Sequence, residues 1–136
     1  MGVEQSVSNT HFEESSEAAA IVRTVHDYFE GWFEGDAERM RRALHPALAK
    51  RGYAGGGNAL ETDAAQEMID ATARGVGTRY PPNQRHFEVD VVDIYRTVAN
   101  VTVRSDVYRE YLGLVRTPDG WKIVNALWRF VDEGDG

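Results

Sequence analysis

The chain has 136 residues, of which 42% are hydrophobic and 27% charged, the size and composition of one globular domain. Its formal net charge of -7 argues against nucleic acid and anionic lipid as main partners, because both carry negative phosphates. There is no cysteine, which excludes disulfides, thiolate catalysis and thiolate metal sites. No apolar run approaches the roughly 20 residues of a membrane-spanning helix, and no signal peptide is evident, so we expect a cytoplasmic protein.

The polar ends of the chain are expected to lie outside the folded domain. Residues 1–13 lack hydrophobic periodicity and are predicted to form a disordered tail. The acidic residues 132–136 are predicted to fray. We therefore assign a single domain to residues 14–131.

The first helix is predicted to begin at Ser15 or Ser16, because serine caps helices and apolar residues then follow at helical spacing. Gly35 ends this helix as a C-terminal glycine does. Its apolar face comprises Ala20, Ile21, Val25, Tyr28, Phe29, Trp32 and Phe33.

Two shorter helices are predicted to follow. Asp36 caps a helix from Ala37 to about Leu44, which ends because Pro46 excludes helical geometry at the residue before it. A third helix is predicted from Thr62 or Asp63 to about Arg74. The intervening segment is ambiguous, since residues 47–54 fit either a short strand or an irregular connection.

The second half of the chain alternates apolar and polar residues in runs of strand length. Thr117-Pro118-Asp119-Gly120 is a hairpin turn, because proline presets φ and glycine accepts a positive φ. The order of the elements predicts an α+β domain in which a cone-shaped, curved antiparallel sheet wraps over about three N-terminal helices, leaving an internal pocket. The four runs are residues 85–91, 98–103, 107–115 and 121–131.

Three segments together resemble the nuclear transport factor 2-like superfamily, especially its branch labelled putative lumazine-binding or polyketide cyclase-like. They are Tyr28 to Asp36 with the following Leu44-His45-Pro46 corner, Tyr108 to Leu114, and Asp119 to Asn125. The resemblance spans residues 17 to 131 and implies the cone-shaped fold and a homodimer formed through the sheet face. It leaves the activity open, since the superfamily includes isomerases, cyclases, dehydratases, binding modules and transport adaptors.

His45 is the first candidate catalytic residue. The resemblance places the histidine-proline corner at the mouth of the cone, where an imidazole acts as a base or binds a ligand. In the alternative interpretation, His45 satisfies backbone groups where the helix ends.

Glu110 and Asn125 are predicted to lie on neighbouring strands, with Glu110 roughly opposite residues 123–126. If both face the concave side, a buried carboxylate abstracts a proton while the amide orients a substrate. The alternative is a glutamate on the solvent face.

Four aromatic residues are candidates for a ligand-binding wall, because aromatic rings supply rigid contact area. The alternative is ordinary core, especially for a tryptophan on a helix face. No compact metal signature occurs, and we expect neither a metal nor a cofactor. The four are Tyr28, Trp32, Tyr53 and Trp128.

These features predict a small-molecule binding protein with a mostly apolar pocket. One alternative is a cofactor-free isomerase, cyclase or dehydratase that acts on a carbonyl compound, with Glu110 or His45 as the base. A further alternative is a protein-interaction module that uses the open sheet.

Overall fold

The computed structural model describes residues 2–53 and 59–131, with side chains described from residue 16 onward. It contains three α-helices, and none of the helices in this part of the chain is long and apolar enough to cross a membrane. The helices are α1 (Gly2–Glu34), α2 (Ala37–Ala43) and α3 (Ala65–Ala73). The strands are β1 (Leu44–Tyr53), β2 (Glu61–Asp63), β3 (Phe87–Tyr95), β4 (Val98–Ser105), β5 (Tyr108–Thr117) and β6 (Gly120–Phe130).

The six strands form one sheet in the order β2-β1-β6-β5-β4-β3. The α+β class with the helices packed on a curved sheet is confirmed, but the sheet is mixed, since β1 pairs with β6 in parallel. Hairpins join β3 through β6, whereas β1 follows directly from α2 and enters the sheet beside the last strand. Sequence patterns reveal hairpins, and this long-range parallel pair carries no such local signal.

Two helix starts differ from those predicted. Helix α1 already begins at Gly2, so residues 2–13 lie in a helix where we expected a loose tail; no proline interrupts this segment. Helix α3 begins at Ala65, because Glu61–Asp63 pairs with β1 as a short antiparallel strand. The predicted fraying of residues 132–136 lies outside the described residues.

The hydrophobic core lies between the helices and the concave face of the sheet. Ile21, Val25 and Phe29 of α1 are buried, as periodicity predicted. Burying each such side chain contributes about 1.5–3 kcal/mol, so this face holds α1 against the sheet. Buried sheet residues on the other side of the core include Val101, Val103, Leu112, Leu114 and Ile123.

The hairpin between β5 and β6 fixes the register of the two central strands. Thr117 pairs with Gly120, whose φ of 110° belongs to the region that glycine tolerates. The Thr117 hydroxyl donates to the Gly120 carbonyl at 2.8 Å. The predicted turn is confirmed.

Ion pairs join α1 to α2 at the corner where the chain reverses. Asp27 accepts hydrogen bonds from Arg39 Nε at 3.0 Å and from Arg42 Nη2 at 2.9 Å, and Arg39 also donates to Glu30 at 2.6 Å. Partial burial opposes ionisation of Asp27, but the hydrogen bonds and charges of the two arginines lower the pKa of its carboxyl below the ordinary value.

We expect Asp27→Asn to destabilise the protein at neutral pH and to lose this effect in acid. A lowered folded-state pKa contributes stability that is present above the unfolded value of about 3.9 and disappears as the pH falls through the folded pKa. Urea unfolding of both proteins from pH 7 to pH 3 measures the difference. Asp119→Asn, the same change in an exposed turn, is the control. A difference that stays constant down to pH 3 would contradict this account.

Candidate functional site

A cavity of about 200 Å³ lies between α1, α3 and the concave face of the sheet. Aromatic and aliphatic side chains form most of its surface, and a few charged groups reach it from β1, β2 and β5. Its lining comprises Tyr28, Phe29, Trp32, Lys50, Asp63, Met68, Val76, Arg79, Tyr108, Glu110, Trp128 and Phe130.

A buried polar cluster of Tyr28, Lys50 and Glu110, here called the Lys50 cluster, lies in the cavity surface. Glu110 is 3% exposed and accepts a hydrogen bond from the Tyr28 hydroxyl at 2.8 Å. Lys50 is 7% exposed; its Nζ donates to the Tyr28 hydroxyl and lies 3.7 Å from Glu110 Oε2. The tyrosine hydroxyl therefore links the amine and the carboxylate.

Aromatic rings lie beside the amine of the Lys50 cluster, and burial keeps its phenol un-ionised. Lys50 Nζ lies 4.9 Å from the Tyr28 ring centroid and 5.4 Å from that of Trp128, within range of cation–π attraction. Burial, together with the negative charge of Glu110, raises the pKa of Tyr28 well above its ordinary value. Because a buried ion pair stripped of one partner is costly, each member depends on the others.

A second polar contact lies along the aromatic wall. Trp32 Nε1 donates to the Tyr108 hydroxyl at 3.0 Å, which holds α1 against β5. Burial raises the pKa of Tyr108, so this hydroxyl also stays protonated. Asp63 lies directly across from Lys50 in the β1–β2 pairing, and the exposed Arg79 contributes to the rim.

Gly52 leaves the space in which the Trp128 ring lies. A Cβ at Gly52 would lie 2.3 Å from Trp128 Nε1, closer than such atoms approach in proteins. The absence of a side chain at Gly52 therefore fixes where the indole packs beside Lys50. Gly52 precedes Tyr53 at the end of β1.

Four of the residues predicted for the site are brought together in the cavity: Tyr28, Trp32, Glu110 and Trp128. Glu110 and Trp128 are paired across β5 and β6, so their side chains share the concave face. The sequence-based estimate that Glu110 lies opposite residues 123–126 was therefore wrong by a few positions.

Asn125 does not join these residues. Leu114 pairs with Ile123 but Gly113 pairs with Asn125, so Val124 is an extra residue that makes a β-bulge. The bulge reverses the alternation along β6 and leaves Asn125 exposed on the outer face, whereas Ile123 and Ala126 are both buried. Counting by twos from the turn cannot detect such an insertion.

His45 and Tyr53 also lie apart from the cavity lining. His45 Nδ1 accepts a hydrogen bond from the Ala47 backbone N–H at 2.9 Å, where α2 gives way to β1. This is the arrangement expected of a residue that satisfies backbone groups at a helix end. Tyr53 is 47% exposed at the end of β1.

Three residues of the cavity lining were not predicted from the sequence: Lys50, Tyr108 and Asp63. Every second position of β1 from Leu48 to Gly52 is buried, and Lys50 is the middle one of these three positions. Side chains at every second position of a strand lie on the same face, so Lys50 is on the buried face. That signal was readable once the ambiguous segment was assigned as a strand. Asp63 depends on the β1–β2 pairing, which has no local signature.

The charged side chains of the described residues were also compared with the geometry of metal sites. Among the residues that the structure describes, no group of at least three His, Asp or Glu side chains is placed to hold a metal ion. The His86 ring contacts Asp106 at 3.0 Å, on the exposed edge away from the cavity.

The family model described as "Putative lumazine-binding" matches residues 16–129 of the chain. The chain belongs to this family. No curated protein matches the sequence. The resemblance to the putative lumazine-binding branch that was stated from the sequence is thus confirmed.

Solved structures show that the fold of this putative lumazine-binding family member is nuclear transport factor 2-like (NTF2-like). An NTF2-like protein of unknown function from Silicibacter pomeroyi is 18% identical, with 87% of this chain and 98% of that chain covered and a TM-score of 0.74. A putative dehydratase of the NTF2-like family from Streptomyces avermitilis is 17% identical, with coverages of 88% and 99% and a TM-score of 0.56. A putative ketosteroid isomerase from Parabacteroides distasonis is 17% identical, with coverages of 82% and 87% and a TM-score of 0.53.

We expect Tyr28→Phe to destabilise the protein by about 1–3 kcal/mol, because it removes a hydrogen bond from a buried carboxylate and from a buried amine. Urea unfolding at neutral pH measures the change. Tyr53→Phe is the matched control, since it removes a hydroxyl from an exposed ring. Equal stabilities of the two variants would show that the Tyr28 hydroxyl is not a structural member of the Lys50 cluster.

Proposed function

We propose that the chain binds a small, uncharged aromatic ligand with a carbonyl group in the cavity. The observation that carries this proposal is the Lys50 cluster, which places hydrogen-bonding groups in an otherwise aromatic and aliphatic cavity. Ligand sites in proteins are built this way, with apolar walls for affinity and a few polar groups for orientation.

The size of the cavity supports a compact ligand. An apolar cavity of about 150 Å³ holds benzene, so about 200 Å³ accommodates one substituted ring. Trp32, Tyr108 and Trp128 present the ring surfaces against which such a ligand packs.

The charge of the site supports a neutral ligand. Lys50 and Glu110 offset one another, and Asp63 and Arg79 at the rim do so again. A charged ligand of either sign would therefore meet as many like charges as opposite charges. A carbonyl oxygen accepts a hydrogen bond from Lys50 Nζ without adding charge to a buried site.

We expect single-ring aromatic ketones to stabilise the protein against thermal unfolding and to change the fluorescence of Trp32 and Trp128. A free ligand concentration of 100 times the dissociation constant raises the free energy of unfolding by about 2.7 kcal/mol. Lumazine, named in the description of the family, belongs in the same panel.

Val76→Trp is the variant that tests the location of binding, because Val76 lines the cavity and a larger side chain fills it. Val92→Trp, the same change at an exposed position of β3, is the matched control. Loss of binding in Val76→Trp alone supports the proposal. Binding that survives in a folded Val76→Trp protein would place the ligand elsewhere.

Acid/base catalysis is the second candidate function, favoured by the closeness of Glu110 to Lys50 and Tyr28. The Tyr28 hydroxyl donates a hydrogen bond to Glu110 Oε1. The other oxygen, Oε2, can therefore take a proton from the carbon beside a ligand carbonyl. The Lys50 ammonium then stabilises the enolate oxygen. His45 has no part in this arrangement, because its Nδ1 already accepts the Ala47 N–H.

We expect the protein to accelerate deuterium uptake at the methyl group of acetophenone in D₂O, as measured by proton NMR. Glu110→Gln should reduce the rate on the order of 100-fold, because it removes the base. His45→Ala should leave it unchanged. If acetophenone binds without exchange above the buffer rate, the chain binds the ketone and does not enolise it.

We also propose a homodimer through the outer face of the sheet. Arg51, Leu127, Tyr111, Thr102 and Asp90 form one row across β1, β6, β5, β4 and β3. Leu127 and Tyr111 are 53% and 50% exposed, an apolar centre between a basic end and an acidic end.

This row is self-complementary about its middle residue. A twofold axis along β5 at Tyr111 sets Arg51 of one copy against Asp90 of the other, and the reverse. Such an isologous contact buries the exposed tyrosine and leucine at its centre.

We expect Arg51→Asp to shift the protein toward monomer in sedimentation velocity, and Arg51→Asp with Asp90→Arg to restore the dimer. The single change sets two acidic groups against each other, and the double change exchanges the charges. Leu60→Asp, at an exposed position outside this row, is the control. An unmodified chain that is monomeric at micromolar concentration would overturn the dimer and leave the face for another protein.

A further inference from the structure

We infer that Lys50 is a covalent carbonyl-binding residue: its amine condenses with an aldehyde or ketone in the cavity to form an imine. This inference rests on the proposed function, because the carbonyl compound must first enter the same cavity. It goes further in assigning a bond-forming step to a lysine.

Three observations support Lys50 as the reacting group. Its Nζ lies in the surface of a cavity large enough for one ring, so the amine and a bound carbonyl carbon are held together. The residue is only 7% exposed, so water is largely excluded. Glu110 Oε2 lies 3.7 Å away, where a carboxyl group accepts and returns the protons that the condensation requires.

The Tyr28 hydroxyl provides the path for the first proton. It accepts from Lys50 and donates to Glu110, so a shift of protons along these two hydrogen bonds turns ammonium and carboxylate into amine and carboxylic acid. The amine released in this way has the lone pair that attacks the carbonyl carbon.

The condensation then balances without any other reactant. The amine nitrogen bonds to the carbonyl carbon and a proton moves from nitrogen to oxygen, giving a carbinolamine. The Glu110 carboxylic acid protonates its hydroxyl, water leaves, and a protonated imine forms beside the Glu110 carboxylate. Overall, ammonium and carbonyl become iminium and water.

The contacts that hold the ammonium also suit the product. The iminium keeps a positive charge at the same nitrogen, near the Tyr28 and Trp128 rings and the Glu110 carboxylate. The site therefore stabilises the covalent adduct with groups that are already in place.

The chain has an internal control for this chemistry, because its only lysines are Lys50 and Lys122. Lys122 lies outside the cavity lining and donates to the Arg42 carbonyl at the protein surface. One sample of unmodified protein thus compares a cavity lysine with a surface lysine.

The experiment treats the folded protein with benzaldehyde and sodium cyanoborohydride, which reduces imines to stable amines, and maps the labelled peptides by mass spectrometry. We expect Lys50 to be labelled faster than Lys122 by about tenfold or more. Glu110→Gln should slow labelling at Lys50 on the order of 100-fold and leave Lys122 unchanged. Acetophenone should compete with the aldehyde for Lys50 alone.

Labelling of Lys122 at a rate equal to or above that of Lys50 would overturn the inference, whatever the variants do. Benzyl alcohol, which resembles the aldehyde and forms no imine, separates the two proposals. If benzyl alcohol binds in the cavity while Lys50 resists labelling, binding stands and covalent chemistry falls. If benzyl alcohol and the ketones fail to bind, the proposed function falls as well.

Discussion

A carboxylate on the apolar face of a sheet must find partners, and Glu110 is the residue that imposes this requirement here. Glu110 accepts a hydrogen bond from a hydroxyl of α1 and forms an ion pair with an amine of β1. One buried carboxylate therefore connects three elements. Neither partner is close to Glu110 in sequence, and the parallel β1–β6 pairing brings Lys50 to the same face. Because buried ion pairs are poor sources of stability compared with apolar packing, retaining one beside a cavity is more simply explained by function than by folding.

The shape of the cavity depends on two local departures from regular structure. The bulge at Val124 returns Ala126 and Trp128 to the concave face, whereas strict alternation from Ile123 would turn them outward. Gly52 on the adjacent strand leaves room for the Trp128 indole. Without either feature the indole could not lie against Lys50, and the aromatic wall would end at Tyr108. The site is thus built by the sheet, and α1 closes it.

The sequence predicted the helical half, the central hairpin and four of the aromatic and acidic residues that line the cavity, because these depend on local periodicity and turn chemistry. The sequence-based prediction failed for residues whose position depends on long-range strand pairing. Asn125 was misplaced by a single inserted residue, and Lys50 was overlooked because its segment was left ambiguous between a strand and an irregular connection. His45 was a candidate catalytic residue through its position in a family motif, and its ring accepts a backbone hydrogen bond at the α2–β1 corner, as the alternative interpretation predicted. Its catalytic role stays a prediction that the geometry does not support.

The two faces of the sheet therefore have different chemistry. The concave face has a buried ion pair among aromatic rings, and the outer face has a self-complementary row of charged and apolar residues. Ligand binding at the concave face is best examined by a crystal structure of the protein with acetophenone. We expect electron density for the ring between Trp32 and Trp128, with the carbonyl oxygen about 3 Å from Lys50 Nζ. Density for the ketone only outside the cavity, with the cavity filled by ordered water or collapsed side chains, would contradict it.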